Sequence, residues 1–150
     1  MRISKKLLFA LEAVLDIAYH SGGEPVQSSD ITRRQKIPKR YLEQVLQQLV
    51  RAGVLTGVRG PRGGYRLARE RRRISLGEIT RIVRTLETSQ DPLQDTAGSE
   101  LGHRILRPVW TELLEETMVR LDRISLEELC NRGNAAGIVS EATEKVDFSI

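Results

Sequence analysis

The sequence predicts a mainly α-helical chain with one two-stranded β wing: a winged helix-turn-helix domain followed by a long C-terminal helix suited to dimerisation. Three observations carry this. Two helical patterns lie a few residues apart, the second entered by Lys39 and Arg40. A glycine- and arginine-rich bend, GVRGPRGGYRL at residues 57–67, stands between two β-prone runs. An apolar stripe from Leu106 to Leu121 has no later core in the chain to cover it.

Each element has its own signal. SKKLLFALEAVLDIAYHSGG, residues 4–23, reads as a helix capped by Ser4. Leu7, Leu8, Leu11, Val14, Leu15 and Ala18 recur at spacings of three and four, the period of one buried helix face. Gly22 and Gly23 stop it, and Pro25 keeps the chain extended. A short helix then begins at Ser28 or Ser29 and runs to about residue 35; Lys36, Ile37 and Pro38 form a turn. The next helix spans residues 39–52, faces Leu42, Val45, Leu46 and Leu49 inward, and stops at Gly53. VLTGV and GYRLA then flank RGPRG as a hairpin. Gly60, Gly63 and Gly64 can take backbone angles that other residues avoid, and the tip carries Arg59 and Arg62 away from the core. Arginine on a thin wing reaches into a narrow minor groove or clamps phosphate oxygens.

ARERRR, residues 68–73, is a solvated basic link. In ISLGEITRIVRTLE, residues 74–87, Ser75 and Glu78 make a capping box, and Ile79, Ile82, Val83 and Leu86 form the stripe. Periodicity fails over residues 88–98, which read as a loop. The long helix starts near Pro108, with an earlier turn from about Glu100 as the alternative. Its apolar face is Leu106, Val109, Trp110, Leu113, Leu114, Thr117, Met118 and Leu121. Ser125 and Glu128 make a second capping box, opening a helix that ends near Asn131. The expected organisation is a winged helix-turn-helix over residues 1–87, the loop with the long and short helices over 88–132, and a flexible tail over 133–150. Burying the long helix against its copy makes a symmetric homodimer with two recognition helices for two half-sites. The alternative is that it folds back on the first helix.

Composition narrows the function. The net charge of +4 hides a split: residues 1–90 carry 18 Lys and Arg against 8 Asp and Glu, residues 91–150 only 6 against 12. The first part is built to meet a polyanion. The single cysteine, Cys130, excludes an internal disulfide and any site made mainly of thiolates, and fits a reducing cytoplasm. The chain shows no signal peptide and no apolar run long enough to span a bilayer, so no membrane role is expected. No catalytic set appears: GPRGG leads into a strand and makes a poor nucleotide cradle, and there is no serine–histidine–acid spacing or metal pair. An enzyme is not expected.

At this point the chain resembles the bacterial winged-helix regulators that include IscR, NsrR and CymR. The marks are YLEQ at residues 41–44 and VRGPRGGYRLA at 58–68, supported by RISKK at the start and SLEEL near the end. The resemblance implies a homodimer on a near-palindromic operator in double-stranded DNA, with the second helix in the major groove and the wing in the minor groove. By position it assigns DNA contact to Ser28, to Lys39, Arg40, Tyr41, Glu43 and Gln44, and to the wing residues Arg59, Gly60, Pro61, Arg62, Gly63, Gly64 and Tyr65. The chemistry agrees: glutamate accepts from a cytosine amino group, glutamine reads adenine, and lysine and arginine hold phosphate or guanine. Tyr41 has a second reading, packing the helix onto the wing. Cluster-binding members place three cysteines between residues 87 and 107, where this chain has none. Aligned on Trp110, a cluster cysteine and a histidine ligand of some members fall at Arg104 and Arg107, whose guanidiniums do not ligate iron. The expectation is the cluster-free, CymR-like branch, with no cofactor.

Three residues stand apart. His103 lies where a sensor ligand would, but alone; His20 suits a helix C-terminus through the dipole. Cys130 is a candidate redox handle that packing explains equally. The resulting expectation is a sequence-specific repressor, with a small molecule or a protein as effector. The alternative is a protein-interaction module whose partner docks on the acidic C-terminal half at Glu112, Glu115 or Glu116.

Overall fold

The computed structural model describes residues 3–87 and 91–142. Residues 88–90 of the expected loop and 143–150 of the expected tail lie outside them. The elements are α1 (Lys5–His20), α2 (Ser28–Gln35), α3 (Lys39–Arg51), β1 (Leu55–Val58), β2 (Gly64–Leu67), α4 (Leu76–Leu86), α5 (Arg107–Asp122) and α6 (Leu126–Ala135).

Helix α1 is the axis of the core. Ser4 Oγ accepts from the Leu7 N–H and starts it. Leu7, Ala10, Ala13, Val14, Ile17 and Ala18 are buried, whereas Leu8 is exposed and Leu11 and Leu15 are half-buried. The expected stripe is thus rotated. The two central alanines bring α1 close to its neighbours α2, α3, α4, α6 and β2. Around it pack Ile31 from α2, Leu42, Val45, Leu46 and Leu49 from α3, Ile79 and Val83 from α4, and Leu126 and Cys130 from α6.

The turn between α2 and α3 sets the recognition helix. Lys36 closes α2 in the left-handed region at φ 56°, ψ 43°, with its N–H on the Thr32 carbonyl at 2.7 Å. Few residues other than glycine sit there. Ile37 plunges into the core and Pro38 opens α3. Beyond Gly53, at φ +80°, the chain enters an antiparallel hairpin in which Leu55 pairs with Leu67 and Val58 with Gly64. Val26 and Tyr65 exchange two backbone hydrogen bonds of 2.8 Å, which fasten the wing to the segment before α2.

Ser75 and Ser125 cap α4 and α6, accepting from the N–H groups of Glu78 and Glu128. Each capping box forms only in half. The Glu78 carboxylate turns to Arg69 and the Glu128 carboxylate to Arg132, because a guanidinium is the stronger partner. The helix ahead of α5 begins at residue 100, the earlier of the two expected starts, and Gly102–Leu106 form a π-helical turn. Pro108 has no N–H to give the preceding turn, and the widened turn precedes it.

Two features depart from expectation. First, α5 is covered in part: Leu114, Met118 and Leu121 are half-buried, α5 packs against α4, and Arg81 pairs with Asp122 at 2.8 Å. Second, order continues past Gly133. Helix α6 runs to Ala135, and residues 136–142 lie back along α1 and α2. Ser140 and Glu141 fasten this strap by hydrogen bonds.

Candidate nucleic-acid interface

Helix α3 divides cleanly. Its four core residues fill one side; Lys39, Arg40, Glu43, Gln44, Gln47 and Arg51 stand exposed on the other. Lys39 and Glu43 approach to 4.0 Å along that face, a spacing and exposure that add little stability. Tyr41 is half-buried, its ring edge-on to Phe9 of α1 with centroids 5.8 Å apart. It packs the helix onto α1, whereas the packing expected for it was on the wing.

The wing lies alongside. Arg59 and Arg62 are exposed at its tip, and neither forms an ion pair with a described residue. The Gly63 N–H donates to the Gly60 carbonyl at 2.9 Å, and Gly60 has φ +107°. A Cβ on Gly63 would stand 2.9 Å from the Arg59 carbonyl carbon, so the tip closes only around glycine. Gln27 donates from Nε2 to the Pro61 carbonyl at 3.4 Å, which ties the tip to the entrance of α2, beside Ser28. Tyr65 joins wing to recognition helix: its hydroxyl accepts from Gln47 Nε2 at 3.3 Å.

Between them lies an open recess lined by Arg40, Glu43, Gln44, Gln47, Gln48, Arg51 and Tyr65. Gln47, Gln48 and Arg51 were missed in the sequence reading. Their signal was available: Arg40, Gln44, Gln47 and Arg51 recur at four, three and four residues, a polar stripe opposite the apolar one. A ridge of amides and guanidiniums beside a basic hairpin is suited to base edges and phosphates.

The other candidates are placed elsewhere. Of the expected dimer face, Leu106, Val109, Trp110, Leu113 and Thr117 are exposed. Leu101 and Ile105 extend that surface. Arg107 donates to the carbonyls of Leu93, Asp95 and Ala97, and His103 Nε2 lies 3.2 Å from the Thr96 carbonyl oxygen. Residues 93–97 are therefore gathered around a guanidinium. Cys130 is fully buried; burial pushes its thiol up, against the charge and hydrogen bond of Arg71.

A profile of the Rrf2 family, described as "Iron-dependent Transcriptional regulator", matches residues 3–132. The chain belongs to the Rrf2 family. The regulator IscR of Xenorhabdus nematophila is 39% identical over 132 residues, 86% of this chain and 79% of the relative. IscR of Yersinia pseudotuberculosis is 37% identical over 133 residues, 87% and 80% of the two chains. Among solved structures, T. potens IscR superposes with a TM-score of 0.75 at 32% identity, covering 93% of each chain. CymR of B. subtilis gives 0.71 at 29% identity, covering 88% of this chain and 98% of the other. As an Rrf2 protein the chain is a DNA-binding transcription regulator with a winged-helix fold, and not an enzyme. No helix of the described residues is long and apolar enough to cross a membrane.

The family description invokes iron, and the donors here do not fit an iron–sulfur cluster. Thiolates hold such clusters. The chain's one cysteine is sealed in the core, and residues 87–107 contain none. Among the described residues no group of three or more His, Cys, Asp or Glu is placed to hold a metal ion.

Proposed function

We propose that this Rrf2 protein is a cytoplasmic homodimeric repressor that reads a near-palindromic operator without an iron–sulfur cluster. In this reading α3 enters the major groove, with Arg40, Glu43, Gln44 and Gln47 facing base edges and Lys39 and Arg51 near phosphate. The wing lies in the adjacent minor groove, where Arg59 makes the main contact and Arg62 adds one to the backbone. Helix α5 pairs with its copy through the exposed stripe centred on Val109 and Leu113 and so sets the distance between the two reading heads. Repression follows from occupying the promoter. The observation that carries the reading is the junction of α3 and wing at Gln47 and Tyr65, which joins an exposed polar face to exposed arginines on one surface.

The test is to recover the operator from genomic fragments with the purified protein and measure affinity for it. Arg59→Ala is expected to weaken specific binding by about 1–3 kcal/mol. If Lys39, Arg51 and Arg62 of both protomers each neutralise one phosphate, log affinity falls against log salt with a slope of about −5. An unchanged affinity in Arg59→Ala overturns the wing assignment; a flat salt response overturns the electrostatic one.

The cluster-free reading has its own test. Protein purified without oxygen is expected to be colourless, with iron and acid-labile sulfide far below one atom per chain. A stoichiometric cluster on the isolated protein overturns it.

A further inference from the structure

Away from the reading head, the C-terminal strap meets α1 and α2 over an open cavity of about 350 Å³. Its apolar walls are Leu15 from α1, Leu129 from α6 and Ile138 from the strap; its polar walls include His20, Arg34 and Gln35. The volume falls at the small end of ligand sites.

Arg34 of the cavity wall shares a carboxylate with Arg33, which lies outside the lining. Glu141 accepts from Arg33 Nη2 at 2.7 and 2.8 Å and from Arg34 Nη1, and its backbone N–H donates to His20 Nδ1 at 3.0 Å. Asp16, also on the cavity wall, holds Arg34 through paired bonds of 2.8 and 2.7 Å. Two guanidiniums converging on one carboxylate are an arginine clamp of the kind used for anionic ligands. Burial opposes the Glu141 charge, but the hydrogen bonds of Arg33 and the charges of Arg34, Arg33 and His20 hold its carboxyl below the ordinary range. Burial, then the charge of Arg34, lowers the pKa of His20 and favours the neutral ring that accepts the strap's N–H.

The strap is fastened mainly at Glu141. Its bonds are Ser140 Oγ to the Tyr19 carbonyl, Tyr19 Oη to the Ile138 carbonyl, and the Glu141 contacts, all at the surface or half-buried.

We propose that this cavity binds a small organic carboxylate with an apolar body, and that Glu141 is a built-in competitor for its arginine clamp. The ligand's carboxylate replaces that of Glu141 on Arg33 and Arg34, its body rests on Leu15 and Leu129, and the strap lifts. Glu12, at the exposed edge of the cavity, stays in water and disfavours ligands with more than one negative charge. Since Arg33 and Arg34 lie on α2, the helix before α3, the site is placed to report to the reading head.

The experiment titrates the full chain, without DNA, with benzoate and 4-methylpentanoate, their neutral amides, and 3-methylbutylamine, using calorimetry and amide NMR. The acids are expected to bind saturably, shifting the signals of Tyr19, His20 and Glu141, and the amides at least tenfold more weakly. Glu141→Ala is expected to tighten acid binding, by about tenfold for a strap closed nine-tenths of the time. Arg33→Gln, at an exposed side chain that folding does not need, is expected to abolish it. Acid binding to neither the parent nor Glu141→Ala, equal binding of the amides, preference for the amine, or an affinity unchanged in Glu141→Ala overturns the proposal. The readout contains no operator, so it stands or falls apart from the DNA reading.

Discussion

The double variant Val109→Glu, Leu113→Glu is expected to sediment as a folded monomer and to lose at least about a hundredfold in operator affinity. Val109 and Leu113 lie one turn apart on α5 and are 50% and 49% exposed within the chain. With Leu106 and Trp110 they make a continuous apolar stripe, larger than the scattered hydrophobics a monomer displays. The far edge of the same helix already rests on α4 through Leu114, Met118 and Leu121. The stripe is therefore held outward by packing. Covering half of each of these side chains contributes roughly 1 kcal/mol apiece, doubled by symmetry. Two glutamates per protomer replace that gain with the desolvation of four charges facing one another. Among the described residues neither position belongs to the buried core or to the side chains packed against it, so the melting curve of each monomer is expected to be intact. Affinity falls further than any single contact explains, because a dimer binds its second half-site at high effective concentration, worth about 10²–10⁴. A variant that stays dimeric and binds normally removes α5 as the interface.

The winged domain was legible because its signals are local. The cap at Ser4 and the periodicity of α3 form as read, and Gly60 and Gly64 of the wing take positive φ as expected, whereas Gly63 is held to glycine by crowding and not by its φ. What was misread depended on neighbours. Of the α1 stripe, Leu7, Val14 and Ala18 are buried as read, but the rest of the buried face runs through Ala10, Ala13 and Ile17 in place of Leu8, Leu11 and Leu15. Small residues give little hydrophobic signal and mark the places where helices approach closest. Tyr41 was legible as half-apolar, but only the fold brings Phe9 to it.

The candidate site divides in the same way. Lys39 to Gln44 and the wing arginines stand out as charge and motif. Gln47 and Arg51 continue the polar stripe by their spacing, and the fold sets the wing's Tyr65 beside them. The strap was least legible of all. Its seven residues are too few to show a period, and its two large apolar side chains, Ile138 and Val139, stay exposed. What positions them is an arginine pair more than a hundred residues earlier, and such pairing leaves no local trace. The same holds for Arg107: the sequence shows a guanidinium where a ligand is absent, and the fold shows it gathering three carbonyls.

Gly64→Ala is expected to destabilise the protein by about 2 kcal/mol and to weaken operator binding with it, whereas Gly57→Ala changes stability by no more than about 0.5 kcal/mol. Both glycines lie in the wing strands, and β-propensity alone favours alanine at neither. They differ in what a Cβ meets. At Gly57 nothing lies within 4 Å. At Gly64, φ is +154° and the new carbon would sit 2.6 Å from the Val26 carbonyl carbon and 3.0 Å from the Gln27 nitrogen. These are backbone atoms of the segment before α2 and have no rotamer to yield. Either Gly64 moves, and the two Val26–Tyr65 hydrogen bonds of 2.8 Å open, at about 1 kcal/mol each, or the backbone strains by about 1–3 kcal/mol. Tyr65 moves with the strand, and with it the bond to Gln47 that sets wing against recognition helix. Urea unfolding measures the first effect and operator titration the second. Equal stability of the two variants would mean that the wing is not fastened at Val26 and that its angle to α3 is free.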